Sequence, residues 1–233
     1  MNIEANLDSF MAERKQDARY TSFDYCFNYF QSHRERGDVA RLAAPGSMQA
    51  SCLQLGFYLA SWGMFRGSGL LIGRSARQFA PVVDLIAEAP PGVWEIDAHC
   101  YSDEVCSQLV NLGELIRRAL RDPARQSRYP SRTLATKVML GVFGNVPAFD
   151  TYVRDGLRQE LGVSRFGAGA LREIGRFYRD NAAVIDRRRE PTLDFDTGNT
   201  THRVYSRAKI IDMIFYVEGG GRGSRSGQPS RAS

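Results

Sequence analysis

The sequence predicts an all-α protein that is compact and two-lobed. Its apolar residues repeat mostly with the 3.6-residue period of a helix, and Ser or Asp before these segments and Gly or Pro after them are typical helix limits. With 233 residues and 43% hydrophobic content, the chain can bury a substantial core. We expect residues 1–128 and 129–218 to form the two lobes. Residues 219–233, rich in Gly, Ser and Arg, are expected to be a disordered tail.

Four helices are predicted in the first part of the chain, at about 8–19, 23–36, 48–65 and 75–87. The second is aromatic on several faces, so core packing and a base-stacking groove both remain open for it. The third is apolar on nearly every face, which predicts the central helix of the first lobe.

The second part of the chain is predicted to be helical as well, with little strand. Residues 93–101 should form an extended connector, because no partner strand is apparent. Ser102 should cap a helix that reaches about residue 121. The remaining helices are expected at 134–143, 151–161, 170–181 and 206–217, with a turn at 194–199.

Several classes of protein are excluded by what the sequence lacks. It has no apolar run of membrane-spanning length and no secretory signal, so a cytoplasmic protein without a membrane partner is expected. The four cysteines have no CxxC spacing and the three histidines are scattered, which favours reduced thiols over disulfides or zinc. Phosphate-binding glycine loops and serine-nucleophile motifs are also missing. We therefore expect no metal and no cofactor, and chemistry led by a carboxylate.

The net charge of +5 indicates little by itself, because three arginines lie in the tail. A basic cluster before residue 150 is more informative, since Asp122 is the only acid within it. The cluster consists of Arg117, Arg118, Arg121, Arg125, Arg128, Arg132 and Lys137. Contact with DNA phosphates and a merely solvated helix end are both open for it. The candidate DNA-binding residues are Arg125, Arg128, Arg132, Gly144 and Asn145.

The segment from Thr133 to Val153 is the one around which the chain is organised. It predicts an apolar helix closed by Gly144 and Asn145, and then a short turn that delivers Asp150 to the start of the next helix. The carboxylate of Asp150 would face an apolar turn on one side and the positive end of a helix on the other. Asp150 is either an N-cap alone or a catalytic carboxylate.

Lysine is rare in this sequence, with Lys15, Lys137 and Lys209 against 28 arginines. A retained lysine indicates a need for a primary amine or a slim side chain, because lysine can lose its proton and form a Schiff base whereas arginine stays charged. Lys137 lies on the helix before Asp150 and is therefore a candidate catalytic nucleophile. A structural role remains open for Lys137, and Lys209 is interpreted as a lysine retained by chance.

A candidate base pocket follows the third predicted helix. Trp62 and Arg66 stand beside a Gly-Ser-Gly stretch whose backbone permits close approach of a ligand, and their side chains suit stacking and hydrogen bonding with a base. Gln54 is the third residue of this predicted pocket. The alternative is a tight turn between two helices with a buried tryptophan, and the two interpretations are compatible.

Residues 146–153 resemble a segment of the helix-hairpin-helix DNA glycosylases. In that family a Val-Pro-x-Asp-Thr-x-Val segment joins two helices and carries the catalytic Asp, and here the chain reads Val-Pro-Ala-Phe-Asp-Thr-Tyr-Val, with one extra residue. The resemblance implies a DNA-glycosylase-like fold with Asp150 as the catalytic residue. Residues 129–133 replace the family's glycine-rich hairpin. In the lyase-active members of that family the catalytic lysine stands at a position that corresponds here to Ser131 and Arg132. If this correspondence holds, the resemblance implies that Lys137 is structural and that water is the nucleophile.

Residues 55–69 and 211–219 resemble segments of a widespread bacterial family of small proteins. By this resemblance an anti-phage role is expected, similar to that of glycosylases that attack modified, for instance glucosylated, cytosines in phage DNA. The expected function is excision of a modified base to leave an abasic site, in anti-phage defence or base-excision repair. DNA is the expected partner, and no oligomeric state is predicted. The alternative is a helical DNA-binding or regulatory protein without catalysis.

Overall fold

The all-α prediction is confirmed by the computed structural model, which describes residues 1–66, 71–121 and 129–221. Within these ranges the α-helices are α1 (Ile3–Met11), α2 (Ser22–Glu35), α3 (Met48–Ser61), α4 (Ala80–Ala87), α5 (Pro91–Glu95), α6 (Asp103–Ala119), α7 (Arg132–Phe143), α8 (Thr151–Leu161), α9 (Ala168–Asp180), α10 (Ala182–Arg187) and α11 (Arg207–Glu218). Strands β1 (Pro191–Leu193) and β2 (Thr200–Val204) form one antiparallel hairpin. None of the described helices is long and apolar enough to cross a membrane. The predicted lobe boundary at residue 128 and most of the predicted tail, 222–233, lie outside the described residues.

Polar caps set the start of the helices that carry the candidate site. Ser131, Asp150 and Ser206 each accept a hydrogen bond, 3.1 Å long, from the backbone N–H three residues later. Each cap satisfies one of the N–H groups that a helix start leaves without a partner. The predicted caps Ser102 and Asp150 are confirmed, and α8 has the predicted limits.

Some predicted limits were wrong. The first helix covers Ile3–Met11. It begins earlier than predicted because the side chain of Asn2 caps its start by accepting from the N–H of Ala5. The third helix ends at Ser61, about one turn earlier than predicted.

The two largest differences concern residues 93–101 and the hairpin. Residues 93–101 are not an extended connector: α5 and a 3-10 turn, Ala98–Cys100, occupy most of them. Pro91 pre-sets the backbone for the first turn of α5, and that helix buries Val93 and Trp94. The strands of the hairpin are too short, at three and five residues, to show a clear alternation. The turn predicted at 194–199 connects them.

One continuous core runs through the described residues, and α7 lies at its centre. Every residue from Leu134 to Phe143 is buried, and α7 packs against α2, α3 and α6. The ring of Tyr58 on α3 occupies the space where a Cβ at Gly141 would lie, so a glycine is needed for this approach. The equally buried α11 packs against α1 and α8. Helices from both sides of residue 128 therefore share one core.

Candidate active site

The turn between α7 and α8 holds the candidate catalytic residue in a fixed place. Gly144 ends α7 in the left-handed conformation, at φ +67°, which few other residues adopt. Four side chains then bind the backbone of the turn. Tyr101 donates to the carbonyl of Asn145 (2.7 Å), and Thr133 donates to the carbonyl of Phe149 (2.8 Å). Asp212 accepts from the N–H of Ala148 (2.9 Å), and Thr136 accepts from the N–H of Phe149 (3.0 Å). The backbone that leads to Asp150 is therefore anchored on both sides of the turn.

Asp150 stands at the end of this turn and pairs with Lys137. Its Oδ1 accepts from the N–H of Val153 at 3.1 Å, and its Oδ2 accepts from Nζ of Lys137 at 2.9 Å. The side chain of Lys137 is 3% exposed, whereas that of Asp150 is 16% exposed. The structure thus brings the two predicted catalytic residues together, and the carboxylate is the more exposed member of the pair.

The indole ring of Trp62 lies beside this ion pair. Nζ of Lys137 is 4.9 Å from the centroid of the ring, and Nζ of Lys209 is 5.7 Å from it. The guanidinium carbon of Arg19 lies 5.4 Å from the same ring. Cation–π attraction to a tryptophan face stabilises positive charges that burial would otherwise disfavour. Trp62 therefore helps to hold three cations around one point.

Lys209 belongs to a second buried ion pair, within α11. Its Nζ donates to Oδ2 of Asp212 at 3.0 Å, and the two side chains are 1% and 8% exposed. Burial raises the pKa of Asp212, the ammonium of Lys209 lowers it, and the carboxylate of Asp150 adds to the increase. Because Asp212 also accepts from the N–H of Ala148, this second pair supports the turn that precedes Asp150.

Two tyrosines contact the tryptophan, and a third packs against one of them. Tyr20 and Tyr216 pack edge-on against Trp62, with ring centroids 5.6 and 5.7 Å from it, and Arg19 donates to Oη of Tyr216 at 2.7 Å. Tyr152 packs against Tyr216 at 5.3 Å and is 44% exposed. Burial raises the pKa of Tyr216, so it stays a neutral phenol at neutral pH. We call the following residues the Trp62 cluster: Arg19, Tyr20, Trp62, Lys137, Asp150, Tyr152, Lys209, Asp212 and Tyr216.

The other two predicted pocket residues lie farther out. Arg66 is exposed, just beyond the end of α3. Gln54 is partly buried on α3 two helical turns before Trp62, about 12 Å away along the helix axis. Trp62 is thus the residue of the predicted base pocket that the structure places beside Lys137.

The prediction that Gly144 and Asn145 contact DNA needs correction. Asn145 is fully buried and Gly144 is buried against neighbouring side chains, so neither presents a surface to a ligand. Their role is to end α7 and begin the anchored turn. The predicted contacts Arg125 and Arg128 lie outside the described residues.

Sequence reasoning missed six members of the Trp62 cluster, among them the pair Lys209 and Asp212. The signal that could have found this pair was the scarcity of lysine, because two of the three lysines of the chain meet at Trp62. Lys209, interpreted from the sequence as a lysine retained by chance, thus belongs to this cluster. The remaining missed residues are Arg19, Tyr20, Tyr152 and Tyr216.

The Trp62 cluster offers a reachable carboxylate beside aromatic surface, which suits a flat ligand that develops positive charge during reaction. The described residues contain no group of three side chains that could hold a metal ion. No known family model, curated protein or solved structure matches the chain. The geometry of the cluster is therefore the main basis for a functional proposal.

Proposed function

We propose that the protein is a DNA N-glycosylase that releases a modified base and leaves an abasic site, with Asp150 as the catalytic carboxylate. The observation that carries this proposal is the pair of Lys137 and Asp150 beside Trp62, in which the carboxylate is reachable and the amine is buried. Breaking an N-glycosidic bond places positive charge on the sugar, and a fixed carboxylate stabilises that charge. The resemblance of residues 146–153 to the helix-hairpin-helix DNA glycosylases supports the same chemistry.

In the proposed reaction the base leaves with the electron pair of the N-glycosidic bond, and water adds to C1′ of the sugar. One proton of that water passes to Asp150 and then to the departing base, which completes a hydrolysis. Lys137 acts as a positioning residue, since its charge-assisted hydrogen bond fixes Oδ2 of Asp150. Its amine is nearly covered by protein, which favours water over Lys137 as the nucleophile.

A basic depression that includes Phe149, the residue before Asp150, supports DNA as the partner. It has a volume of about 380 Å³ and lies at the start of α7, where Arg132, Arg154 and Arg165 line it together with Phe149. No acidic side chain is among its described lining residues. Arginine guanidinium groups in such a setting suit phosphate oxygens.

The proposed substrate is a modified base of phage DNA, for instance glucosylated cytosine, which the resemblance of residues 55–69 and 211–219 supports. The protein should be incubated with unmodified plasmid and with phage DNA that carries modified cytosine, and abasic sites then detected with an aldehyde-reactive probe. We expect abasic sites in the modified DNA well above those in the plasmid. Their absence from both would contradict the glycosylase proposal.

Borohydride distinguishes water from Lys137 as the nucleophile. A nucleophilic lysine would form an imine with C1′, which borohydride reduces to a stable protein–DNA adduct. We expect base release without an adduct, and partial base release by Lys137→Arg, because a guanidinium can still donate to Asp150. A glycosylase with lyase activity serves as the positive control for trapping. An adduct that disappears in Lys137→Arg would instead make Lys137 the nucleophile.

One observation favours a second candidate, a helical DNA-binding or regulatory protein without catalysis. Asp150 already has a structural role, since it caps α8 through the N–H of Val153. Such a protein would bind DNA and release no base. The incubation with modified DNA therefore separates the two candidates.

A further inference from the structure

Two aromatic side chains outside the Trp62 cluster are unusually exposed. Phe57 is 69% exposed and Phe195 is 70% exposed. Both line one depression of about 380 Å³, together with Tyr25 and a few polar residues. Exposed aromatic surface concentrated in one depression is a frequent mark of a binding site.

The two phenylalanines are carried by firmly held backbone. Phe195 follows β1 at the tip of the hairpin. Two side chains of α2 form hydrogen bonds with the backbone of Leu193 on that strand. Oδ2 of Asp24 accepts from the N–H of Leu193 at 2.9 Å, and Nδ2 of Asn28 donates to its carbonyl at 2.9 Å. The ring of Tyr25 meets the ring of Phe195 edge-on at 5.0 Å. The exposure of Phe195 is thus a fixed feature of the fold, and Phe57 is fixed by its place in α3.

Arg19 joins this depression to the candidate active site. It lines the depression, and the same side chain lies over Trp62 and donates to Tyr216. Ser61, the last residue of α3, also lines the depression and immediately precedes Trp62. The depression and the Trp62 cluster therefore adjoin, because they share Arg19 and meet along the chain at Ser61 and Trp62.

We propose that this depression holds an unpaired nucleobase of the DNA, stacked on Phe57 and Phe195, which flanks the nucleotide placed at Asp150. This inference rests on the proposed function, because it assigns a second contact to the same DNA. Stacking on aromatic side chains is the usual way in which proteins hold unpaired bases, and it tolerates any sequence. Such a contact keeps the strand open beside the reacting nucleotide.

The polar lining fits a base better than it fits an apolar protein segment. Gln16 and Asp17 are exposed at the depression, and their side chains can accept from the amino groups on the edge of a base. Arg19 offers a guanidinium for the neighbouring phosphate. A continuous apolar partner would cover the side chains of Gln16 and Asp17 and offer them no hydrogen bonds.

The test uses a single-stranded oligonucleotide that carries 2-aminopurine, whose fluorescence falls when the base stacks. We expect quenching on binding to the wild-type protein, and a loss of affinity of about 5- to 150-fold for Phe57→Ala and for Phe195→Ala. The dependence of affinity on salt should stay the same, because no phosphate contact is removed. Leu53→Ala is the matched control: Leu53 is 51% exposed one turn before Phe57 on α3, outside the depression, and its loss should change nothing.

Affinity and quenching that are equal in the Phe57, Phe195 and Leu53 variants would overturn the inference. It would also be overturned if light scattering showed a dimer that Phe195→Ala disperses without any change in DNA affinity, since a second copy would then fill the depression. The proposed function is judged separately, by base release from modified DNA with the wild-type protein. Loss of DNA affinity in the phenylalanine variants combined with normal base release by the wild type supports both proposals.

Discussion

Asp150→Asn is expected to abolish base release while the protein stays folded and binds DNA. Asparagine keeps the size of the side chain and an oxygen that can cap α8 at Val153, but it removes the negative charge. Loss of one fixed group that stabilises transition-state charge lowers kcat by about 100- to 1000-fold. The measurement is the single-turnover rate of base release from modified DNA, with thermal melting followed by circular dichroism in parallel.

Asp155→Asn is the matched control for this substitution. Asp155 lies on the same helix and pairs with Arg158 at 2.8 Å, with both side chains partly exposed, so base release should be unchanged. Asp150→Asn leaves the buried ammonium of Lys137 without its counter-charge, which lowers stability. The double variant Lys137→Met with Asp150→Asn removes both charges and is expected to be folded and inactive. Full activity in Asp150→Asn or in the double variant would exclude Asp150 from catalysis.

The local part of the site could be predicted because its signals lie within one short segment. An apolar run that ends at Gly144 indicates where α7 stops, and Asp150 before a new helical pattern indicates an N-cap. The connecting turn runs back along α7, so Lys137 and Asp150 meet although thirteen positions separate them. The pairing itself depends on the path of this turn, which is set by tertiary hydrogen bonds: Tyr101 donates to the carbonyl of Asn145, and Asp212 accepts from the N–H of Ala148.

The rest of the Trp62 cluster could not be predicted, because its members come from distant parts of the chain. Tyr20 precedes α2, Trp62 follows α3 and Tyr216 lies on α11, and edge-on ring contacts between such distant positions leave no spacing pattern in a sequence. Burial is equally non-local. Asn145 is polar and follows a glycine, which is typical of an exposed loop, yet the surrounding helices cover it completely.

The two buried ion pairs of the cluster differ in what surrounds them, and this difference suggests different roles. Asp150 is partly exposed and its Oδ1 serves only a local cap, so a ligand can approach its carboxylate. Asp212 is more deeply buried, and its two oxygens bind Lys209 and the N–H of Ala148. We therefore interpret Asp212 as the support of the turn and Asp150 as the group that acts on a ligand.

Asp212→Ala is expected to lower the free energy of unfolding by about 3–5 kcal/mol, because it leaves Lys209 as an unpaired buried charge and removes the acceptor of the Ala148 N–H. This is a large fraction of the total stability of a typical domain, about 5–15 kcal/mol. Urea titration at neutral pH measures the loss. Since the turn before Asp150 also loses its anchor, base release should fall even where the variant remains folded.

The matched control for Asp212→Ala is Asp155→Ala, because Arg158 and Asp155 form an ion pair with the same i,i+3 spacing but at the surface. Removing a surface pair should cost less than about 1 kcal/mol. The double variant Lys209→Met with Asp212→Asn tests the cause: it removes both charges, keeps an acceptor for the Ala148 N–H, and should recover most of the loss. If Asp212→Ala lowers the free energy of unfolding by no more than Asp155→Ala does, the ion pair in α11 is not desolvated and does not support the turn. If the double variant recovers stability but not base release, the charges of the pair Lys209 and Asp212 contribute to the chemistry at Asp150.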